Sequence, residues 1–421
     1  MRNTEYFKGK KVTVIGFARS GLACANLLYQ LGAGVRITDS KPAAALAVNK
    51  AQLISQDIRV EYGSHTEDFI SGSDIAVLSP GIPDSALPVQ WAMKHGIPIY
   101  SEIEVAWSVC PAPVIAVTGS NGKTTTTTLI GLVLEAAGRH AVVCGNIGNP
   151  FSGEVPRLKG TDHVVLEVSS FQLEKIKSFK PHIALITNIN PNHLDRYRNI
   201  QEYADAKKRI FLNQDARDYL VLNSSDPATA GFAEQSRAQV SFFGEDTALN
   251  PNQAAVVRVA QILGISRQVC SGVFSVFKGL EHRMEEVARF NQVTFINDSK
   301  ATTVESAMWA LRNIPTRAMV IAGGKDKGLD YRLIFDLAKQ KVRGFVLIGQ
   351  AAQKIKKAVE GAAPVEEALD LRDAVMKAYR LAQPGEYVLL SPMCASYDMF
   401  ADYEERGRVF KKIVKDLEAH A

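Results

Sequence analysis

Short apolar runs, each closed by a turn and followed by a stretch of helical periodicity, recur along this chain and predict most of its elements. Lys11 to Ile15 reads as a strand, Gly16 to Gly21 as a turn, Leu22 to Leu31 as a helix, and Val35 to Thr38 as a second strand ending in Asp39. Ile75 to Leu78 is another apolar run, closed by Ser79-Pro-Gly-Ile82. Val114 to Thr118 enters Gly119-Ser120-Asn121-Gly122, and Lys123-Thr124-Thr125 opens an apolar helix through Leu129, Ile130 and Leu134. Val142 to Asn146, His163 to Val168 and Ala184 to Ile189 predict further strands, and Ile200 to Phe211 a helix. The rhythm returns at Val293 to Asp298, Met319 to Gly324, Phe345 to Gly349 and Tyr387 to Pro392. Strand-length apolar runs alternating with helices predict mainly parallel sheets with helices on both faces.

A chain of 421 residues is too long for one ordinary core. The expected fold class is α/β in three domains: a Rossmann-like domain over 1–101, a central P-loop ATPase-type parallel sheet over 102–279 and a Rossmann-like domain over 280–421. With 46% hydrophobic and 22% charged residues, the composition is that of a soluble globular protein. A net charge of +5, with the basic residues scattered, argues against a nucleic-acid surface. Cys24, Cys110, Cys144, Cys270 and Cys394 are odd in number and far apart. They form neither a disulfide framework nor a C-x-x-C metal site, which points to a reducing compartment. No apolar run reaches membrane-spanning length and no apolar signal core is present, so the expected location is the cytoplasm, with no membrane partner.

The strongest chemical signal is Val114 to Thr126. Strand, Gly-rich loop and helix start make a phosphate cradle: backbone N–H groups and the helix N-terminus hold phosphate, Lys123 neutralises it and the Thr124 hydroxyl suits Mg²⁺. Val117 stands where the first glycine of the usual pattern would be. A Gly-rich turn with a surface lysine is the plain alternative. Glu167 lies in an otherwise apolar strand, where a carboxylate is expensive unless it is ion-paired or binds a cation. His193 and Asp195, in a loop after a strand, suit a metal and phosphate site, although an isolated histidine there is equally an ordinary surface residue. The Gly16 to Gly21 turn leaves three readings open: an NAD site, a site for another nucleotide diphosphate, or a turn that only packs its helix.

Taken together, these residues resemble the Mur ligases of bacterial peptidoglycan synthesis. The resemblance runs from Gly16 to Gly21 through Ser79 to Ile82, Thr118 to Thr124, Gly145-Asn-Ile-Gly148, Glu167-Val-Ser-Ser-Phe-Gln-Leu173, His193-Leu-Asp-Arg-Tyr197, Gly279-Leu-Glu-His-Arg283 and Asn297 to Thr302, and ends at Ser391 to Ser396. It implies ATP-dependent amide bond formation, adding D-glutamate to UDP-MurNAc-L-Ala through an acyl phosphate, by a cytoplasmic monomer. It further implies that Lys123, His193, Lys207 and Lys300 serve catalysis, and that Gly119, Ser120, Asn121, Gly122, Lys123, Thr124, Thr125, Asn250, Gln253, Arg283 and Asp298 meet ATP. Two Mg²⁺ ions would be held by Thr124, Glu167, His193 and a carbamylated Lys207, because a carbamate offers the oxygen donor that Mg²⁺ prefers. Arg19, Ser20, Asp39, Ser40, Gly81 and Asn146 would surround the sugar nucleotide, which turns the first domain's open readings toward a nucleotide-sugar diphosphate. Thr302, Lys327, Ser396 and Tyr397 would meet D-glutamate.

The chain departs from that pattern before the helix near residue 250. Leu249-Asn250-Pro-Asn-Gln253 lacks the family's histidine, Gln253 replaces an asparagine, and the segment between Gly244 and Asn250 is short. Competing readings are an amide ligase of the same superfamily with another acceptor, and a non-catalytic sugar-nucleotide-binding regulator. The metal-ligand types at Glu167, His193 and Lys207 weigh against the regulator.

Overall fold

The computed structural model describes residues 4–190, 196–326 and 328–420. His193, Asp195 and Lys327, all expected at the site, lie outside the described residues. The architecture is α/β in three domains, each built on its own sheet. By contact the chain forms two compact units, Met1–Phe277 with two sheets and Lys278–Ala421 with the third.

The first sheet holds β1 (Lys11–Ile15), β2 (Gly34–Asp39), β3 (Arg59–Tyr62), β4 (Ile75–Leu78) and β5 (Ile99–Ser101). Its order is β3-β2-β1-β4-β5, all parallel. The central sheet holds β6 (Val114–Thr118), β7 (Ala141–Gly145), β8 (His163–Glu167), β9 (Ile183–Ile186), β10 (Tyr219–Asn223) and β11 (Gln239–Phe243). Its order is β11-β10-β9-β6-β8-β7, again all parallel. In each sheet the strand order reverses beside the strand that carries the glycine-rich turn, β1 or β6, and such reversals open a crevice at the strands' C-terminal ends. Buried on both faces, β4, β6 and β9 had to read as unbroken apolar runs.

The third sheet holds β12 (Glu285–Phe290), β13 (Val293–Asn297), β14 (Ala318–Gly323), β15 (Val342–Ile348), β16 (Val365–Glu367) and β17 (Tyr387–Leu390), in the order β12-β13-β17-β14-β15-β16. It is mixed, because β12 pairs antiparallel with β13. Asn291 and Gln292 join them, both at positive φ (47° and 60°), the backbone that a two-residue hairpin requires.

The helix Glu102–Val109 ties the first two domains into one unit. The Glu104 carboxylate accepts the N–H groups of Lys177, Ser178 and Phe179 at 2.9, 2.7 and 2.9 Å. Trp107 Nε1 donates to Lys180 O at 3.0 Å. Two predicted boundaries shift for local reasons. The helix expected from Leu22 starts at Arg19, directly after the tight turn. The strand expected to reach Ile189 stops at Ile186, because the residues after it leave the ladder to hold the phosphate loop.

Candidate functional site

The phosphate loop leaves β6 and enters the helix Lys123–Ala136. Gly119 has φ +142°, and a Cβ there would sit 1.9 Å from Thr187 Oγ1. Gly122 has φ +81°, and a Cβ there would sit 2.3 Å from Asn252 Oδ1. Both positions therefore need glycine for backbone and for space. The segment after β9 pins the loop from beside it. Ser120 N–H donates to Asn188 O (2.9 Å), Asn121 N–H to Asn188 Oδ1 (2.9 Å), and Thr187 Oγ1 to Asn121 O (2.6 Å). Asn190 N–H donates to Ser120 Oγ at 2.8 Å. The Lys123 ammonium folds over the loop and donates to Gly119 O and Ser120 O, both at 3.0 Å. Thr124 and Thr125 follow in the first helical turn, half-buried.

Glu167 ends β8 and is 1% exposed. Asn146 Nδ2 donates to its Oε1 at 2.7 Å, whereas its Oε2 is buried without a hydrogen-bond partner among the described residues. Lys207, in the helix Ile200–Lys208, is equally buried, and its Nζ donates to Thr118 Oγ1 at 3.3 Å. Burial first, then the Lys123 charge, push the Lys207 amine well below the usual lysine range, against the pull of Glu167. The unpartnered Glu167 oxygen and the Thr124 hydroxyl are oxygen donors of the kind Mg²⁺ takes, and Lys207 fits beside them only as a carbamate, which its burial toward the neutral amine favours.

In the first domain the glycine turn is shaped from within. Phe17 N–H and Lys41 N–H donate to the two Asp39 carboxylate oxygens at 2.7 and 2.9 Å, and Ser79 Oγ donates to Gly16 O at 3.1 Å. Asp39 thus braces the turn through both carboxylate oxygens; Ser20 is half-buried, and Ser40 and Gly81 are exposed. Arg19 reaches into the central domain and donates to Gly148 O. A small cavity between the two domains is lined by Ser79, Gly81, Ser101, Gln172, Lys175 and Arg196.

Asn250 and Gln253 serve a local purpose in the fold. Asn250 caps the helix Pro251–Ile262 by accepting Gln253 N–H at 3.0 Å, while Gln253 Oε1 accepts Asn250 N–H at 3.3 Å. The neighbour that touches the phosphate loop is Asn252, which accepts from Thr126 Oγ1 at 3.3 Å. The sequence reading missed it, and the signal was an unassigned amide at the second position of a helix.

In the Lys278–Ala421 unit, Asp298 is 4% exposed; Ser391 Oγ donates to its Oδ2 at 3.0 Å and Met284 N–H to its Oδ1 at 3.3 Å. Burial pushes its carboxyl up to about 7, against hydrogen bonding and the nearby Arg283 charge. The Lys300 amine lies 5.6 Å from the Tyr403 ring centre. Ser396 is buried and Tyr397 exposed. Arg406, also missed from the sequence, is 1% exposed and joins the two loops that bear these residues. Its guanidinium donates to Ser299 Oγ (2.9 Å), Ser299 O (2.8 Å) and Cys394 O (3.3 Å).

Comparison with known proteins gives three domain profiles in order along the chain. A Mur ligase MurD-like N-terminal domain matches residues 10–101, the Mur ligase middle domain 117–291, and the Mur ligase glutamate ligase domain 282–394. A UDP-N-acetylmuramoylalanine--D-glutamate ligase of Caldanaerobacter subterraneus subsp. tengcongensis is 40% identical over 445 residues, covering 97% of this chain and 99% of the relative. The ligase of the same name from Chloroherpeton thalassium is 39% identical over 468 residues, covering 98% and 99%. Among solved structures, the UDP-N-acetylmuramate-alanine ligase of Thermotoga maritima aligns with a TM-score of 0.58 at 17% identity, covering 98% of this chain and 100% of that one. The MurF ligase of the same organism, in complex with ADP, gives 0.59 at 15%, covering 100% and 98%. At such identities the structural likeness is one of fold.

Proposed function

This chain belongs to the Mur ligase family, and from that premise we propose that it joins D-glutamate to UDP-N-acetylmuramoyl-L-alanine, converting ATP to ADP and phosphate, in peptidoglycan precursor synthesis. The observation that carries the reading is local to the central domain. At the C-terminal end of β6, a glycine-dependent phosphate loop stands with a buried Glu167 oxygen that has no partner among the described residues and a buried Lys207 amine.

The chemistry asks for positioning and charge neutralisation more than for covalent help. The L-alanine carboxylate oxygen bonds to the γ-phosphorus of ATP as the bond to the β-γ bridging oxygen breaks, releasing ADP. The D-glutamate nitrogen then adds to the acyl carbon; the carbon–oxygen bond to phosphate breaks, and the nitrogen gives up a proton. Backbone N–H groups of Gly119 to Thr125 hold the phosphates, and Lys123 leaves its two loop carbonyls to neutralise the transferred group.

Thr124 and Glu167 would hold one Mg²⁺, and His193 with Lys207 a second; the ions would supply positive charge beside the phosphate oxygens. Lys207 suits that role as a carbamate. Its burial favours the neutral amine, whose nitrogen bonds to the carbon of CO₂ and loses a proton. Within the C-terminal unit we assign Arg283 and Asp298 to ATP, Thr302, Lys327, Ser396 and Tyr397 to D-glutamate, and Lys300 to the reacting groups. In the first domain Arg19, Ser20, Asp39, Ser40 and Gly81 receive the sugar nucleotide, with Asn146 from the central domain. We place Asn250 and Gln253 near the ATP site by helix position, with Asn252 between them. We take the protein to work as a cytoplasmic monomer. Among the described residues, no helix is long and apolar enough to cross a membrane.

The test is phosphate release with ATP, Mg²⁺ and the sugar nucleotide, with and without D-glutamate. Sustained release is expected only with both acceptors present, and release indifferent to both would refute the proposal.

A further inference from the structure

Glu102 is a buried acid that the chemistry above leaves unused. It is the first residue of the helix Glu102–Val109 and is 1% exposed. Its Oε1 accepts Ser152 N–H at 2.6 Å, and its Oε2 is buried with no partner among the described residues. Burial pushes the carboxyl above the ordinary glutamate range, and the Cys24 and Cys144 thiols lie near enough to feel its charge. Ser152 belongs to the short helix Phe151–Glu154, which packs against both the helix Arg19–Gln30 of the first domain and the helix that Glu102 opens. Directly before it runs the loop of Gly145 to Asn149, closed by Gly145 N–H donating to Asn149 O at 2.8 Å.

That loop is held on its other sides by groups of the proposed site. Arg19, beside the nucleotide-sugar turn, donates to Gly148 O. Asn146 holds Glu167 twice, N–H to O at 2.9 Å and Nδ2 to Oε1 at 2.7 Å. Glu102 is thus the buried anchor of a loop that orients the carboxylate assigned to the metal. Removing a group that orients a metal ligand by hydrogen bonding typically costs about ten- to a hundred-fold in metal affinity, and a group one step further out should fall at the low end.

We propose that Glu102 is a positioning residue for phosphoryl transfer, fixing the Asn146 loop on Glu167 through Ser152. This rests on the metal reading of Glu167, and the experiment separates the two. In the full-length protein, Glu102→Ala raises the Mg²⁺ Kd, measured by calorimetry with ADP bound and no turnover, about ten-fold and lowers kcat, with the D-glutamate KM unchanged. Glu102→Gln, which keeps a neutral acceptor for Ser152 N–H, returns both toward the parent values. Glu102→Asp draws the acid back by one methylene; it gives the same shift as alanine and serves where alanine does not fold. Folded alanine and aspartate variants with the parent Mg²⁺ profile would overturn the proposal. A parent enzyme active without divalent ions would instead overturn the metal reading.

Discussion

Asn146 gives its side-chain amide to one oxygen of Glu167 at 2.7 Å, and the other oxygen of that carboxylate is buried without a partner among the described residues. A buried carboxyl oxygen left without a partner costs stability that a bound group there would recover. Glu167→Gln is therefore expected to keep or raise Tm without metal while lowering kcat on the order of a hundred-fold. Melting and phosphate-release assays on the same preparation check it. A variant that melts well below the parent would show a carboxylate already compensated within the fold.

Gly122 and Asn252 should behave as one unit. Gly122→Ala puts a Cβ 2.3 Å from Asn252 Oδ1 on a backbone of φ +81°. The strained backbone alone costs about 1 kcal/mol and the clash adds to it. Asn252→Ala in the same chain removes the clash and leaves the strain, so the double variant should be more stable than the sum of the singles by about 1 kcal/mol. A denaturation double-mutant cycle measures this, and simple additivity would contradict the geometry.

Lys207→Ala should abolish activity; it also truncates a fully buried side chain and lowers Tm through the cavity left behind, so the assay belongs well below that variant's melting temperature. Short-chain carboxylates added to that variant should restore part of the rate by supplying the missing oxygen donors. Equal rates with and without them, over a range of concentrations, would count against the carbamate.

Asp298 sets a pH dependence of stability. Its folded carboxyl is raised to about 7, above the value of about 4 for an exposed aspartate. The folded state then binds more protons than the unfolded one between those values, so the contribution is full below pH about 4 and is lost as pH rises through about 7. Relative to Asp298→Asn, the parent should lose Tm from pH 4 to 7 and run level above it. A constant difference across that range would show a carboxyl that titrates normally.

Legibility followed burial. β1, β4, β6 and β14 are buried over most or all of their length and stood out as apolar runs. β3, β12 and β16 carry exposed or half-buried polar residues at sheet edges, so their patterns did not separate from loop. The phosphate loop was readable because its chemistry lies within one short segment. Asn252 and Arg406 were not, because their roles depend on partners over a hundred positions away in the chain. Asp39 was legible as an acid at a strand end; that its carboxylate also braces the turn was not, because its partner Phe17 lies 22 positions away in the chain.

The account's central claim is the identity of the bond made. With ATP, Mg²⁺ and UDP-N-acetylmuramoyl-L-alanine, the purified protein should give a ligated product with D-glutamate and none with L-glutamate or L-alanine, one phosphate released per product formed. Equal turnover with L-alanine or L-glutamate, or no product with D-glutamate, would contradict it.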